Sequence, residues 1–280
     1  MVGSQSYGTE TPLIVPPEQL NDEDFDYRGT SRKEYENEFY KRICSEIIDN
    51  FLYLGGDLVA KDTETFQKIG ITHVVNCAAD YSDDYHKNMG VVYKSYHLKD
   101  HVREDIACVF YDAIEFLQEA RASGGKCYVH CVQGISRSAT ICCAYMILTE
   151  GLTYNEAYER VKARRACANP NLQFIQQLIW FEKRLQDTNF RALTVNPRVF
   201  VLMSHQDSDP QRIVCKLLTQ NLYQRGQRFF GLDPRGVTVV QAEQATYIWI
   251  GGELHPANRE PYLNAAKTHV NNLARHERAK

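Results

Sequence analysis

The chain has 280 residues, room for about two domains, and its 44% hydrophobic and 11% aromatic content can bury a core, which excludes wholesale disorder. With 32 basic and 35 acidic side chains the formal charge is −3, so the basic footprint of a general nucleic-acid binder is missing. The sequence has no run of about 18 apolar residues, the length needed to span a bilayer, and the opening residues lack the charged and apolar regions of a secretory leader.

Residues 1–42 read as an acidic, mostly disordered leader: nine of the first 40 side chains are acidic and three are basic. From Ile43 the pattern changes to that of a folded domain, expected to run over residues 43–187. Phe51–Leu54 predicts a strand, Lys61–Ile69 a short helix stopped by Gly70, and Ile71–Asn76 and Val91–Leu98 two further strands. Asp105 is placed as the N-cap of a helix over Ile106–Ala120. Lys126–His130 predicts a strand and Ser138–Thr149 a helix apolar nearly all round, hence central. Thr153 and Glu156 form a capping box opening Tyr154–Arg164, and Asn169 with Pro170 opens a last helix to about Gln186. Strands alternating with helices argue an α/β fold with a mostly parallel sheet flanked by helices.

After a link at residues 188–196, a smaller α/β unit is expected over 197–280. Val199–Met203 reads as a strand, Gln211–Gln220 as a helix, Val237–Gln241 and Thr246–Ile250 as paired strands, and Pro256–Asn272 as an amphipathic helix. The nine cysteines are odd in number and show no CxxC spacing, which argues against a disulfide framework or a zinc ribbon. A reducing, cytoplasmic setting, with nuclear access open, is the expectation.

The stretch that carries chemistry is His130-Cys131-Val132-Gln133-Gly134-Ile135-Ser136-Arg137-Ser138. A strand delivers a cysteine to a tight loop, and a helix leaves after an arginine. Successive amides curled at a helix N-terminus make an anion nest, and Arg137 adds a planar two-toothed donor. Gly134 lets the backbone turn where a Cβ would clash. The same positive field favours the Cys131 thiolate, a nucleophile aimed at phosphorus. A buried structural cysteine would not need Gly134 and Arg137 in place. A zinc site on His130 and Cys131 is disfavoured, because adjacent strand residues point to opposite faces. Cleaving a phosphate ester also needs a proton for the leaving oxygen. Asp100, in His97-Leu98-Lys99-Asp100-His101, is preferred over Asp105, which suits a cap.

The His-Cys-x-x-Gly-x-Ser-Arg-Ser pattern resembles the cysteine-based protein tyrosine phosphatases, specifically the dual-specificity branch. Gly55-Gly56-Asp57, Asn76-Cys77, the acid 31 residues before Cys131, and Asn169-Pro170-Asn171 with Phe174 and Gln177 fit that branch. The resemblance covers about residues 44–187. It implies a phosphocysteine on Cys131, with Arg137 and the backbone of Val132, Gln133, Gly134, Ile135 and Ser136 holding the phosphate. It further implies Asp100 as acid and then base, Ser138 as the hydroxyl assisting thiolate departure, and His130 and Asn171 in support. Arg165 resembles a residue that contacts a second phosphate; the plainer reading is a surface arginine at a helix end. No metal and no cofactor is implied.

Val132, Gln133 and Ile135 bring no added positive charge to the loop, which favours a phosphoprotein over a phosphoinositide or an RNA end. The phosphatase segment also resembles plant-type mitogen-activated protein kinase phosphatases with a gelsolin-like region, which implies a phosphorylated kinase of that class as substrate partner. Tyr247-Ile248-Trp249-Ile250-Gly251-Gly252, followed by a helix, resembles a gelsolin repeat. Val240 and Gln241 stand where such repeats carry Leu-Asp, which argues against calcium or actin binding. The alternative of another class is a phosphoprotein-binding adaptor that uses the same loop as a reader, with little or no turnover.

Overall fold

The computed structural model describes residues 39–186, 198–218, 232–242 and 245–277. Most of the acidic leader and the link between the two units lie outside them. Strand β1 (Ser45–Ile48) pairs antiparallel with β2 (Leu52–Gly55). Short helices α1 (Asp57–Lys61) and α2 (Thr63–Ile69) lead to β3 (His73–Asn76) and β4 (Val92–Ser95). Helix α3 (Phe110–Ala122), strand β5 (Cys127–His130), and helices α4 (Arg137–Glu150), α5 (Tyr154–Arg164) and α6 (Leu172–Gln186) complete the first unit. The sheet order is β1-β2-β5-β3-β4, with every pair parallel except β1–β2, as expected of a mostly parallel sheet.

The two-residue period of the central strands sorts their side chains. Leu52, Leu54, Val75, Cys127 and Val129 enter the large core shared with α3, α4 and α6, whereas Tyr53, Val74 and Tyr128 pack on the opposite side with Val59, Phe66 and Ile69 of α1 and α2. Both faces are covered, which is why these strands read as nearly continuous apolar runs. Cys131 continues the parity of Cys127 and Val129 into the large core. His130 stacks on Tyr128 at 5.6 Å between ring centroids, on the other face.

Several boundaries differ from expectation for local reasons. The helix expected over Lys61–Ile69 begins at Thr63, because Asp62 is its cap and accepts the Thr65 amide on its carboxylate at 2.7 Å, and Lys61 instead ends α1. Gly70 stops the second helix at φ 79°, as predicted. Asp105 makes no side-chain cap; Ile106–Val109 is a 3-10 turn, and the α-helix starts at Phe110. The Thr153–Glu156 capping box is formed. At the last helix the cap is Asn171, whose Oδ1 accepts the Phe174 amide at 3.0 Å. Ordered packing also begins earlier than Ile43, since Tyr40 is buried with Ile43 and Cys167.

The second unit is a four-stranded antiparallel sheet of order β7-β6-β8-β9, with β6 (Arg198–Gln206), β7 (Asp209–Leu217), β8 (Val237–Gln241) and β9 (Thr246–Ile250). Helix α7 (Pro256–His276) packs on it through Ala266 and Leu273. The helix expected at Gln211–Gln220 is a correction: residues through Leu217 form β7, hydrogen-bonded along β6 from Gln206↔Asp209 to Phe200↔Leu217. Asp207-Ser208 makes a tight turn, and the β-branched pair Ile213-Val214 suits the strand that the turn sends back.

The units pack together. Val214 of β7 lies in the large core of the first unit. The buried Glu277 accepts the Tyr111 hydroxyl at 2.7 Å and pairs with Arg184 at 3.2 Å and with Arg198. Burial opposes the charge on Glu277, but the two guanidinium groups hold its carboxyl below the usual range. Among the described residues, no helix is long and apolar enough to cross a membrane.

Candidate active site

Strand β5 ends at His130, and the chain turns through residues 131–136 into the N-terminus of α4. The loop is held from outside by its own carbonyls. Val132 O accepts from the Asp57 amide at 3.0 Å, Gln133 O from Arg165 Nη2 at 3.1 Å and Gly134 O from Arg165 Nε at 2.7 Å. Ile135 O accepts from the Asn169 amide at 2.8 Å, and Ser136 O from the amide and hydroxyl of Thr140, both at 2.9 Å. With these carbonyls engaged elsewhere and the Gly134 and Ser138 amides directed at Cys131, the loop is arranged as the nest that an anion requires. Gly134 makes the turn at φ +69°; a Cβ there would meet Gly55 O at 2.3 Å. The glycine is therefore required twice, by conformation and by space.

Cys131 sits at the base of this nest, 2% exposed, with its Sγ 3.2 Å from Ser138 Oγ. Burial works to raise its pKa, but the Arg137 charge, the Ser138 hydroxyl and the Ser138 and Gly134 amides outweigh it, and the thiol lies below the ordinary cysteine value. The other eight cysteines are all pushed up, chiefly by burial. Cys131 alone combines a buried position with a stabilised thiolate. Arg137 is buried, and its Nη1 donates to Leu98 O at 2.9 Å. Its Nε, buried as well, has no hydrogen-bond partner among the described residues.

Asp100 closes the site from the loop after β4. Its Oδ1 accepts from Ser136 Oγ at 2.8 Å and Asn171 Nδ2 at 3.0 Å, while Oδ2 lies 4.0 Å from Arg137 Nε. One oxygen is thus engaged by the loop and the α6 cap, and the other remains beside the arginine. The side chain is 38% exposed, open to an incoming ester. Asp105 instead borders a cavity of about 560 Å³ between the two units, together with Gln177, Trp180, Lys216 and His269. Asp100 is the carboxylate that reaches the loop. His130 is fully buried, and burial lowers its pKa to about 4, so it is neutral and unsuited to act as a general base at neutral pH.

Arg165 requires a correction. It is 0% exposed and cannot meet a second phosphate at the surface. Besides Gln133 O and Gly134 O, its guanidinium donates to Tyr40 O and Ile43 O, both at 3.0 Å, and to Ser45 Oγ at 3.2 Å. It ties the underside of the loop to the chain before β1. The position beside Cys167 and five residues before Pro170 carries no mark of this inward turn. The bridging hydroxyl of Ser136 is a second feature that spacing alone did not single out, since only its backbone was expected to matter. Its Oγ also accepts from the Asn171 amide at 3.2 Å, linking loop, acid and helix cap.

The chain is similar to several known proteins. Residues 52–184 match the family described as dual specificity phosphatase, catalytic domain. The chain is 33% identical over 244 residues to the protein-tyrosine-phosphatase MKP1 of Arabidopsis thaliana, covering 86% of this chain and 29% of that protein. It is 37% identical over 152 residues to dual specificity protein phosphatase 1 of Homo sapiens, covering 54% of this chain and 41% of that protein. The crystal structure of DUSP15 matches with 33% identity and a TM-score of 0.45, over 50% of this chain and 86% of that one. The chain therefore spans less than a third of the Arabidopsis protein and less than half of the human one.

Proposed function

The chain belongs to the dual-specificity phosphatase family, and on that footing we propose that it hydrolyses phosphotyrosine and phosphoserine or phosphothreonine in proteins through a phosphocysteine. The observation that carries this reading is Cys131, the one thiol of nine held below its ordinary pKa, at the base of an amide nest beside Arg137.

In the first step the Cys131 thiolate attacks phosphorus, the phosphorus–oxygen ester bond breaks, and Asp100 gives its proton to the departing oxygen. Arg137 and the amides of residues 132–136 hold the equatorial oxygens, where charge is spread in the transition state. In the second step the Asp100 carboxylate takes a proton from water as the water attacks phosphorus. The sulfur–phosphorus bond then breaks, and the Ser138 hydroxyl, 3.2 Å away, donates to the returning thiolate. Alcohol and phosphate are the products, and Cys131 and Asp100 end as they began. His130 orients the loop from the opposite face of β5, and Asn171 holds Asp100.

The substrate is proposed to be a kinase of the mitogen-activated class, phosphorylated on threonine and tyrosine in its activation loop. Similarity to an Arabidopsis phosphatase over most of this chain supports that class, and a loop without added positive charge favours a phosphoprotein. The second unit is proposed to be gelsolin-like on the pattern from Tyr247 to Gly252, which leads into α7. Asp100→Asn tests the mechanism. It should lower kcat about 100-fold or more on a phosphotyrosine peptide and leave an aryl phosphate with a weakly basic leaving group nearly unaffected. An equal loss on both substrates would remove Asp100 from the role of acid.

A further inference from the structure

The loop that carries Asp100 is not supported by the first unit alone. It leaves β4 at Ser95 and ends at the 3-10 turn that starts at Ile106. Between these points Glu104 turns its carboxylate back along the loop, and Oε2 accepts the amide of Lys99, the residue before Asp100, at 3.0 Å. The Glu104 amide donates to His101 O at 3.0 Å, and its carbonyl accepts from Gln177 Nε2 at 2.8 Å. Residues 99–104 are thus closed into a small ring by one buried carboxylate.

That carboxylate is held from the β6–β7 hairpin of the second unit. Gln206 Nε2 donates to Glu104 Oε2 at 3.1 Å, and the buried His205 ring lies 3.8 Å from Oε1. Burial, with Lys216 and Arg212 nearby, lowers the His205 pKa to about 4, so the ring faces Glu104 uncharged. The same hairpin grips the other end of the loop. Arg212 donates from Nη2 to Ser95 O at 2.8 Å and from Nη1 to Asp112 Oδ2 at 3.2 Å. Its guanidinium lies 4.6 Å from the centre of the Tyr96 ring. Asp112 also accepts the Tyr96 hydroxyl at 2.8 Å, so entry and exit of the acid loop are both fastened to one hairpin.

We propose that the β6–β7 hairpin of the second unit positions the general acid, with Gln206 holding Glu104 and Arg212 holding Ser95 and Tyr96 so that Asp100 stays over the loop before substrate arrives. Gln206, Arg212 and Glu104 are positioning residues. The proposal rests on Asp100 acting as the acid. The physical ground is that a carboxylate displaced by an ångström or so no longer meets the leaving oxygen, a misplacement that costs rate without costing binding.

The test uses the full chain with two esters, phenyl phosphate and an aryl phosphate whose leaving group needs little protonation, plus orthovanadate as a probe of the anion nest. Gln206→Ala should lower kcat on phenyl phosphate about 10-fold, with less than about 2-fold change on the activated ester or in vanadate affinity. Arg212→Met should show the same pattern and serves if Gln206→Ala fails to fold. Exchanging the pair, Glu104→Gln with Gln206→Glu, keeps an acceptor for the Lys99 amide and a donor between the units, and should restore most of the lost rate. Equal losses on both esters, or no loss on either, would overturn the proposal. With Asp100→Asn as reference, the two ideas separate. If Asp100→Asn selectively loses phenyl phosphate and Gln206→Ala does not, the hairpin's role fails alone. If Asp100→Asn shows no selectivity, the acid assignment fails and the proposal falls with it.

Discussion

Arg137→Ala is expected to lower kcat/KM on a phosphotyrosine peptide about 1,000-fold or more, the scale seen when a transition-state donor is removed from a preorganised anion site. Two losses combine. The guanidinium, oriented by its bond to Leu98 O and with a buried Nε that has no hydrogen-bond partner among the described residues, is the charged donor beside the nest. It is also the foremost of the groups that lower the Cys131 pKa against burial. Removing the charge raises that pKa, so less thiolate is present at neutral pH and the acid limb of the rate profile moves to higher pH. Alkylation by iodoacetamide measures this second effect separately from turnover. In the wild type Cys131 should react at a lower pH than the other eight thiols, and in Arg137→Ala its midpoint should shift upward. An unchanged midpoint would mean that the amides and Ser138 hold the thiolate unaided. Lysine should rescue part of the pH shift but little of the rate, because a point charge lacks the planar fork.

Arg165→Ala is the second large effect, and its readout is stability first. The substitution takes the Arg165 donor from the carbonyls of Ile43, Gln133 and Gly134 in a closed interior, while Tyr40 O keeps the Ile43 amide. At ~1–3 kcal/mol for each orphaned group, and with water recovering part of the loss, the cost is on the order of 4 kcal/mol. That is a large share of the ~5–15 kcal/mol that holds an ordinary domain folded. A thermal or denaturant melt checks it, and Arg165→Lys should recover little, since one ammonium cannot serve acceptors spread around a fork. The molecules that remain folded should bind vanadate more weakly, because two of the lost bonds fix the loop itself. A variant as stable as the wild type, impaired only on doubly phosphorylated peptides, would instead return Arg165 to substrate contact.

Much of the first unit was legible because its signals are local. The strand–loop–helix around Cys131 announces itself through residue types that no packing requirement explains together, and Gly134 at φ +69° against Gly55 O meets the demand inferred for it. The Thr153–Glu156 box and the Gly70 stop are likewise contained within a few residues. What spacing could not reveal depends on distant partners. Arg165 at a helix end is indistinguishable from a surface arginine until Tyr40 and Ile43, over 120 positions earlier, are seen to cover it. Asp105 has the residue type of a cap, yet no cap forms, because the chain enters the helix through a 3-10 turn. The helix expected over Gln211–Gln220 is strand β7 because its character comes from pairing along β6, and its short apolar stretch fits either period. The support given to the acid loop by Gln206 is of the same kind, a contact across 102 positions between two units.

The most direct test of the account is phosphate release from a doubly phosphorylated Thr(P)-x-Tyr(P) activation-loop peptide by the full chain and by Cys131→Ser. The wild type should remove both phosphates, and Cys131→Ser should remove neither while still binding the peptide. A wild type that binds without turnover would make the protein a phosphoprotein reader. Turnover surviving in Cys131→Ser, or release of the tyrosine phosphate alone, would contradict the dual-specificity phosphocysteine mechanism.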